Sequence, residues 1–291
     1  MAVRTTDLTK SYGAVTALSH VGLDVPTGSV FGLVGPNGAG KTTLLSILAG
    51  LRRATSGSIA IEADSVGVLP DTPRFDGWLT GAEVLQLAAA LDGTALDRAA
   101  TEEALASAGL ADAGDRATKG YSRGMLQRLG LAAAVVGSPR LLLLDEPAAA
   151  LDPAGRREVL DLVRRLRGSA TVIFSSHILD DVQEVCDTIG ILRRGELVYQ
   201  GSLEGLLAGK VGLTYVVELR SGHTATARAL QSQEWVSSVI EGSGGRLVVE
   251  VSDQEAAERN LVPVLAAAGQ PVVSVTPQRT SLEEVFLEVT R

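Results

Sequence analysis

An α/β fold is predicted for this chain, and three features of the sequence predict it. The first is Gly35-Pro36-Asn37-Gly38-Ala39-Gly40-Lys41-Thr42, which matches the phosphate-binding loop pattern G-x-x-x-x-G-K-[ST]. The second is the setting of that loop. Residues 29–34 form a short, mostly apolar run with the character of a buried strand, and residues 43–49 have helical character and stop at Gly50. The third is a pair of apolar runs, residues 141–144 and 171–174, that read as buried parallel strands. Between them, residues 153–167 carry leucine and valine at helical spacing and end near Gly168.

The remaining elements follow from periodicity and turn signals. Residues 1–35 and 56–62 alternate apolar and polar positions between turns such as Pro26-Thr27-Gly28, which predicts short antiparallel strands beside the loop. Residues 81–91, 96–108 and 122–136 have alanine- and leucine-rich faces and read as helices. Composition shifts near residues 206–210. Beyond it come strand-like runs at 215–219 and 247–251, a helix at 254–268, a strand at 272–275 and a final helix at 281–289. The expected organisation is a P-loop NTPase core over residues 1–208, with a mixed, mainly parallel sheet and an antiparallel strand subdomain. A helical insertion occupies about 76–136, and a small α+β accessory domain fills 211–291.

Bulk composition narrows the partners. The chain has 291 residues, 45% hydrophobic and 21% charged, as expected of a soluble globular protein. Its longest apolar patch, 129–136, is broken by Gly130 and falls short of a membrane span. The first seven residues lack the layout of a signal peptide. A lone cysteine, Cys186, excludes an internal disulfide, fits a reducing cytosol and is expected in the core. Net charge is −8, and residues 211–291 hold 6 basic against 10 acidic side chains, so no nucleic-acid partner is expected.

Strand, glycine loop and helix start together make a nest of backbone N–H groups at the positive end of a helix dipole. Gly35, Asn37, Gly38, Ala39, Gly40, Lys41, Thr42 and Thr43 supply it. Lys41 would reach the β- and γ-phosphates, and the Thr42 hydroxyl would ligate Mg²⁺. At the end of the apolar run 141–144 stand Asp145 and Glu146, followed by Pro147. Taken alone this is an acidic turn before a proline. With a phosphate loop upstream, Asp145 is placed to hold Mg²⁺ through water, and Glu146 to act as general base on the attacking water. Further back, Ser122 in Tyr121-Ser122-Arg123-Gly124-Met125-Leu126-Gln127-Arg128 resembles a helix N-cap, a second anion-attracting helix start.

The order of these motifs resembles the ATP-binding subunits of ABC transporters over about residues 1–208. Ser122 and Gly124 lie in a segment like the family's signature motif. Ala149-Ala150-Leu151-Asp152 is similar to its D-loop, Ser175-Ser176-His177 to its switch histidine, and Tyr12 to the aromatic that stacks on adenine. The resemblance implies two subunits packed head to tail around two ATP molecules, the signature of one completing the phosphate loop of the other. It implies that His177 senses the γ-phosphate and Asp152 links the two sites. The second subunit would be another copy or a homologue, docked with integral membrane permease subunits on the cytoplasmic face of the membrane. The cofactors would be ATP and Mg²⁺. Four positions depart from the family pattern, one of them Met125, which stands in the signature in place of a glutamine. Asp71 stands where a glutamine is usual and is expected to contact Mg²⁺ or its waters; Arg123 replaces a glycine, and Ala149 a serine. The form of the signature, with the tail Thr280-Ser281-Leu282-Glu283-Glu284-Val285-Phe286, looks most like exporters whose membrane domains are separate polypeptides. The alternatives are a non-transport ATPase acting on ribosomes or DNA, and a slow regulatory ATPase.

Overall fold

Alternating burial opens the chain as two long antiparallel strands, β1 (Val3–Tyr12) and β2 (Val15–Val25), of 10 and 11 residues where short strands were expected. After the turn at Gly28, β3 (Val30–Val34) is buried at every position. The phosphate loop follows and feeds α1 (Lys41–Leu48), with Gly40 at its N-cap. Next come β4 (Ser56–Ile61) and β5 (Val66–Leu69). β4 pairs with β1, completing a three-stranded antiparallel sheet ordered β2-β1-β4. The computed structural model describes residues 1–208, 214–221, 223–278, 282 and 286.

A helical segment follows: α2 (Gly81–Leu91), α3 (Arg98–Ser107) and α4 (Arg123–Val135). Each begins one residue after a side-chain cap. Thr80 and Glu83 form a reciprocal capping box, Asp97 accepts from the Ala100 N–H, and Ser122 from the Met125 N–H. These helices close on their own core of Val84, Leu85, Leu105, Leu110, Tyr121 and Leu129.

The chain then returns to the central sheet as β6 (Leu141–Asp145), α5 (Pro153–Leu166), β7 (Thr171–Ser176), α6 (Leu179–Val185), β8 (Thr188–Arg193) and β9 (Glu196–Ser202). The six strands lie in the order β5-β6-β7-β3-β8-β9. All neighbours pair in parallel except β8 and β9, so the sheet is mixed and mainly parallel. Leu8, Leu18, Leu33, Leu44, Leu143 and Ile173 pack between this sheet, α1 and the antiparallel strands. Cys186 is buried, where desolvation pushes its thiol pKa up, and it is free, as expected of a packing residue.

The chain divides into two compact units between Leu203 and Glu204, just inside α7 (Leu203–Ala208). The second unit contains β10 (Thr214–Leu219), α8 (His223–Gln231), β11 (Val236–Glu241), β12 (Arg246–Val251), α9 (Gln254–Ala267) and β13 (Val272–Gln278). Its four antiparallel strands run β11-β12-β10-β13, the split βαβ arrangement, over a core of Val217, Leu219, Leu230, Leu247, Val249 and Leu261. Of the helix expected at 281–289, Leu282 and Phe286 are helical; the rest lies outside the described residues. So do residues 211–213 of the expected accessory domain and most of the 280–286 tail. β5, α6, β8, β9, α8 and β11 were not foreseen from the sequence.

Phe174, near the C-terminal end of β7, is fully buried. Phe174→Ala is expected to cost about 3–5 kcal/mol, read as a lower urea midpoint for the chain.

Candidate functional site

Parallel pairing brings three strand ends to one edge. In the register of the central sheet Asp145 lies opposite Ser175, and Val34 opposite Ser176. The residues that follow β3, β6 and β7 therefore emerge together: the phosphate loop, Glu146 and His177. Ligands of open α/β sheets bind at such carboxyl ends. They wall a cleft of about 480 Å³ whose lining includes Asn37, Gly38, Ala39, Gly40, Lys41, Thr42, Thr43, Asp71, Glu146 and His177.

Two glycines make the loop possible. A Cβ at Gly35 would run into the Leu192 carbonyl oxygen. Gly40 has φ +109°, and a Cβ there would lie 2.7 Å from the Ala17 carbonyl oxygen. Lys41 is the first residue of α1 and only 6% exposed. Its ammonium folds back to donate to the Gly35 carbonyl at 2.7 Å and sits 3.5 Å from Glu146 Oε1.

Asp145 is 4% exposed. Burial raises its carboxyl above the usual range, and the charges of Asp71 and Glu146 raise it further; the hydroxyls of Ser175 and Thr42 oppose the shift. Ser175 holds two groups at once. Its Oγ donates to Asp145 Oδ1 at 2.6 Å and accepts from the Glu146 N–H at 2.9 Å. Among the described residues no three His, Cys, Asp or Glu side chains form a ready metal cage. A buried carboxylate beside a threonine hydroxyl suits instead an ion that keeps waters and takes its other ligands from phosphate, as Mg²⁺ does.

Glu146 has φ +49°, a left-handed conformation that costs a non-glycine residue energy and recurs at functional sites. The turn aims its carboxylate between Lys41 and His177, with Nδ1 of His177 at 2.7 Å from Oε2. Gln127, on α4 and buried, steadies the same turn: its Nε2 donates to the Pro147 carbonyl at 3.2 Å and the Glu146 carbonyl at 3.4 Å.

The other expected site residues stand outside the cleft lining. Tyr12, at the end of β1, is 43% exposed, with Lys10 Nζ 4.8 Å from its ring centroid. Gly124 and Ser122 lie at the start of α4, where Ser122 caps. Asp152 caps α5, accepting from the Gly155 N–H at 2.9 Å, and lies 3.7 Å from Arg128 on α4. Sequence reasoning quoted Gln127, Arg128 and Ser175 but gave them no role. A polar residue inside an apolar helix face was the available signal for Gln127; the partners of Ser175 exist only in the folded register.

Comparison with known proteins agrees with this geometry. A family profile described as ABC transporter matches residues 18–149. The chain is 36% identical to the Bacillus subtilis (strain 168) uncharacterized ABC transporter ATP-binding protein YxlF, over 97% of each chain. It is 35% identical to the daunorubicin/doxorubicin resistance ATP-binding protein DrrA of Streptomyces peucetius, over 99% of this chain and 92% of that protein. With the bacitracin transport ATP-binding protein BcrA of Enterococcus faecalis it shares 36% identity, over 70% of each. A solved ATP-binding subunit of an ABC transporter superposes with TM-score 0.66 at 28% identity, covering 72% of this chain and 93% of that one. The chain belongs to the ABC transporter family and is one of its ATP-binding, ATP-hydrolysing subunits.

Proposed function

We propose that this subunit powers export of drug- or antibiotic-like molecules through separate membrane permease subunits, working in a pair that ATP closes. The observation that carries the catalytic part is Glu146, held on a strained backbone between Lys41 and His177. The export part is supported by the similarity to DrrA and BcrA, whose names state resistance and transport.

The residue roles follow from chemistry. Backbone N–H groups of Gly35, Asn37, Gly38, Ala39, Gly40 and Thr43, at the N-terminus of α1, cradle the phosphates. Lys41 exchanges the Gly35 carbonyl for phosphate oxygens, and Tyr12 offers an exposed ring for the base. Thr42 and Asp145, with Asp71 nearby, would hold Mg²⁺, which when bound neutralises charge on the β- and γ-phosphate oxygens. Glu146 takes the proton of the attacking water on a carboxylate oxygen, and His177 orients that carboxylate through Nδ1. Ser122 and Gly124 complete the partner's site, and Asp152 joins the two sites through its place at the start of α5. Residues 211–291, which fall almost wholly in the unit that begins at Glu204, are the accessory domain. Among the described residues no helix is long and apolar enough to cross a membrane.

Glu146→Gln should bind ATP normally, hydrolyse it at least about a hundredfold more slowly and accumulate as an ATP-bound dimer in size-exclusion chromatography. A wild-type rate from that variant would remove the general-base role. Lys41→Ala should weaken ATP binding in a fluorescent-nucleotide titration. Asp145→Asn removes a buried charge that Asp71 and Glu146 repel, yet keeps an acceptor for Ser175. It should raise the melting temperature of the nucleotide-free chain by roughly 2–4 °C while abolishing Mg²⁺-dependent turnover; an unchanged or lower melting point would count against electrostatic strain at this site. Affinity capture of the chain from membranes should recover an integral membrane protein, and recovery of ribosomes instead would overturn the transport role.

A further inference from the structure

The phosphate cleft has a second permanent cation in its wall. Arg123 lines it together with Lys41, Asp71 and His177. Arg123 is the first residue of α4, directly after the capping Ser122, and its side chain is exposed. Among the described residues it forms no ion pair, although Asp71 and Glu146 line the same cleft. Lys41 is in the opposite condition, occupied by the Gly35 carbonyl and Glu146. Arg123 is thus a cationic residue in the wall of the space a triphosphate enters, with no carboxylate partner to surrender. Its planar fork of donors matches terminal phosphate oxygens better than any other side chain. Successive residues at a helix start project about 100° apart. Ser122 and Gly124 lie outside the lining while Arg123 lies within it, so this one turn presents different residues to two different places.

We propose that Arg123 binds the terminal phosphate of the ATP held by its own subunit's phosphate loop, so that a single chain already distinguishes ATP from ADP. The proposal rests on the phosphate-loop role given to residues 35–42. It differs from the part given to Ser122 and Gly124, which act on the partner's nucleotide.

The test is equilibrium binding of ADP and of a non-hydrolysable ATP analogue, at protein concentrations where sedimentation shows a monomer. Wild type should prefer the triphosphate. Arg123→Ala should lose roughly tenfold in affinity for the ATP analogue with ADP affinity unchanged, and Arg123→Lys should fall between. Unchanged affinities in the Arg123→Ala monomer, with a defect only in dimer formation, would overturn the proposal and assign Arg123 to the partner's site. An equal loss for both nucleotides would overturn it too, by showing that the residue only shapes the cleft. Lys41→Ala is the control: if it keeps both affinities, the phosphate-loop role itself has failed, an outcome separate from either of these.

Discussion

The parallel alignment of β6, β7 and β3 is the constraint on which the rest of the structure depends. Asp145 faces Ser175 and Val34 faces Ser176 across two ladders of buried strands. A slip of β6 by one residue against β7 would turn the side chains of β6 to the other face of the sheet and break the Ser175–Asp145 hydrogen bond. All three strands are buried throughout, so close packing of side chains on both faces of the sheet holds this register. The sheet therefore works as a ruler. It sets the spacing between the glycine loop, the two carboxylates and the histidine, and the loops that follow need only turn outward.

The site built on that ruler is electrostatically costly. Asp145 is buried, Asp71 and Glu146 repel its charge, and Glu146 occupies a left-handed backbone. The hydroxyls of Ser175 and Thr42 relieve part of this at Asp145, and Lys41 lies beside Glu146. Lys41 donates to the Gly35 carbonyl and lies 3.5 Å from Glu146, so cation and carboxylate meet at the cleft. Gln127 and Arg128 add a mechanical link. One holds the turn after Glu146 and the other lies by Asp152, so α4 is tied both to that turn and to the start of α5.

Much of the fold was legible where one physical signal was strong. Continuous apolar runs marked β3, β6 and β7, and Thr80, Asp97, Ser122 and Asp152 each cap a helix that periodicity had placed within two residues. The missed elements are those where the signal is weak. β5 has 4 residues and α6 has 7, too few for a period to show. β9 alternates only half-buried and exposed positions, as an edge strand does, and so resembles surface loop. Likewise α8, with 9 residues, buries only Thr226, Ala227 and Leu230.

The sequence by itself determined the chemistry: a glycine loop ending in Lys41 and Thr42, adjacent carboxylates at 145 and 146, and a histidine after a buried strand. These are local, because each needs only its neighbours along the chain to be recognised. Tertiary structure decided which of those groups meet. That Ser175 joins Asp145 to the Glu146 backbone and that Gln127 supports the turn after Glu146 are contacts between residues 20 to 30 positions apart in the chain, and Arg123, in the wall of the phosphate cleft, is 82 positions from Lys41. No local pattern encodes them, because they arise only when the strands pair in register and the helices close over their ends.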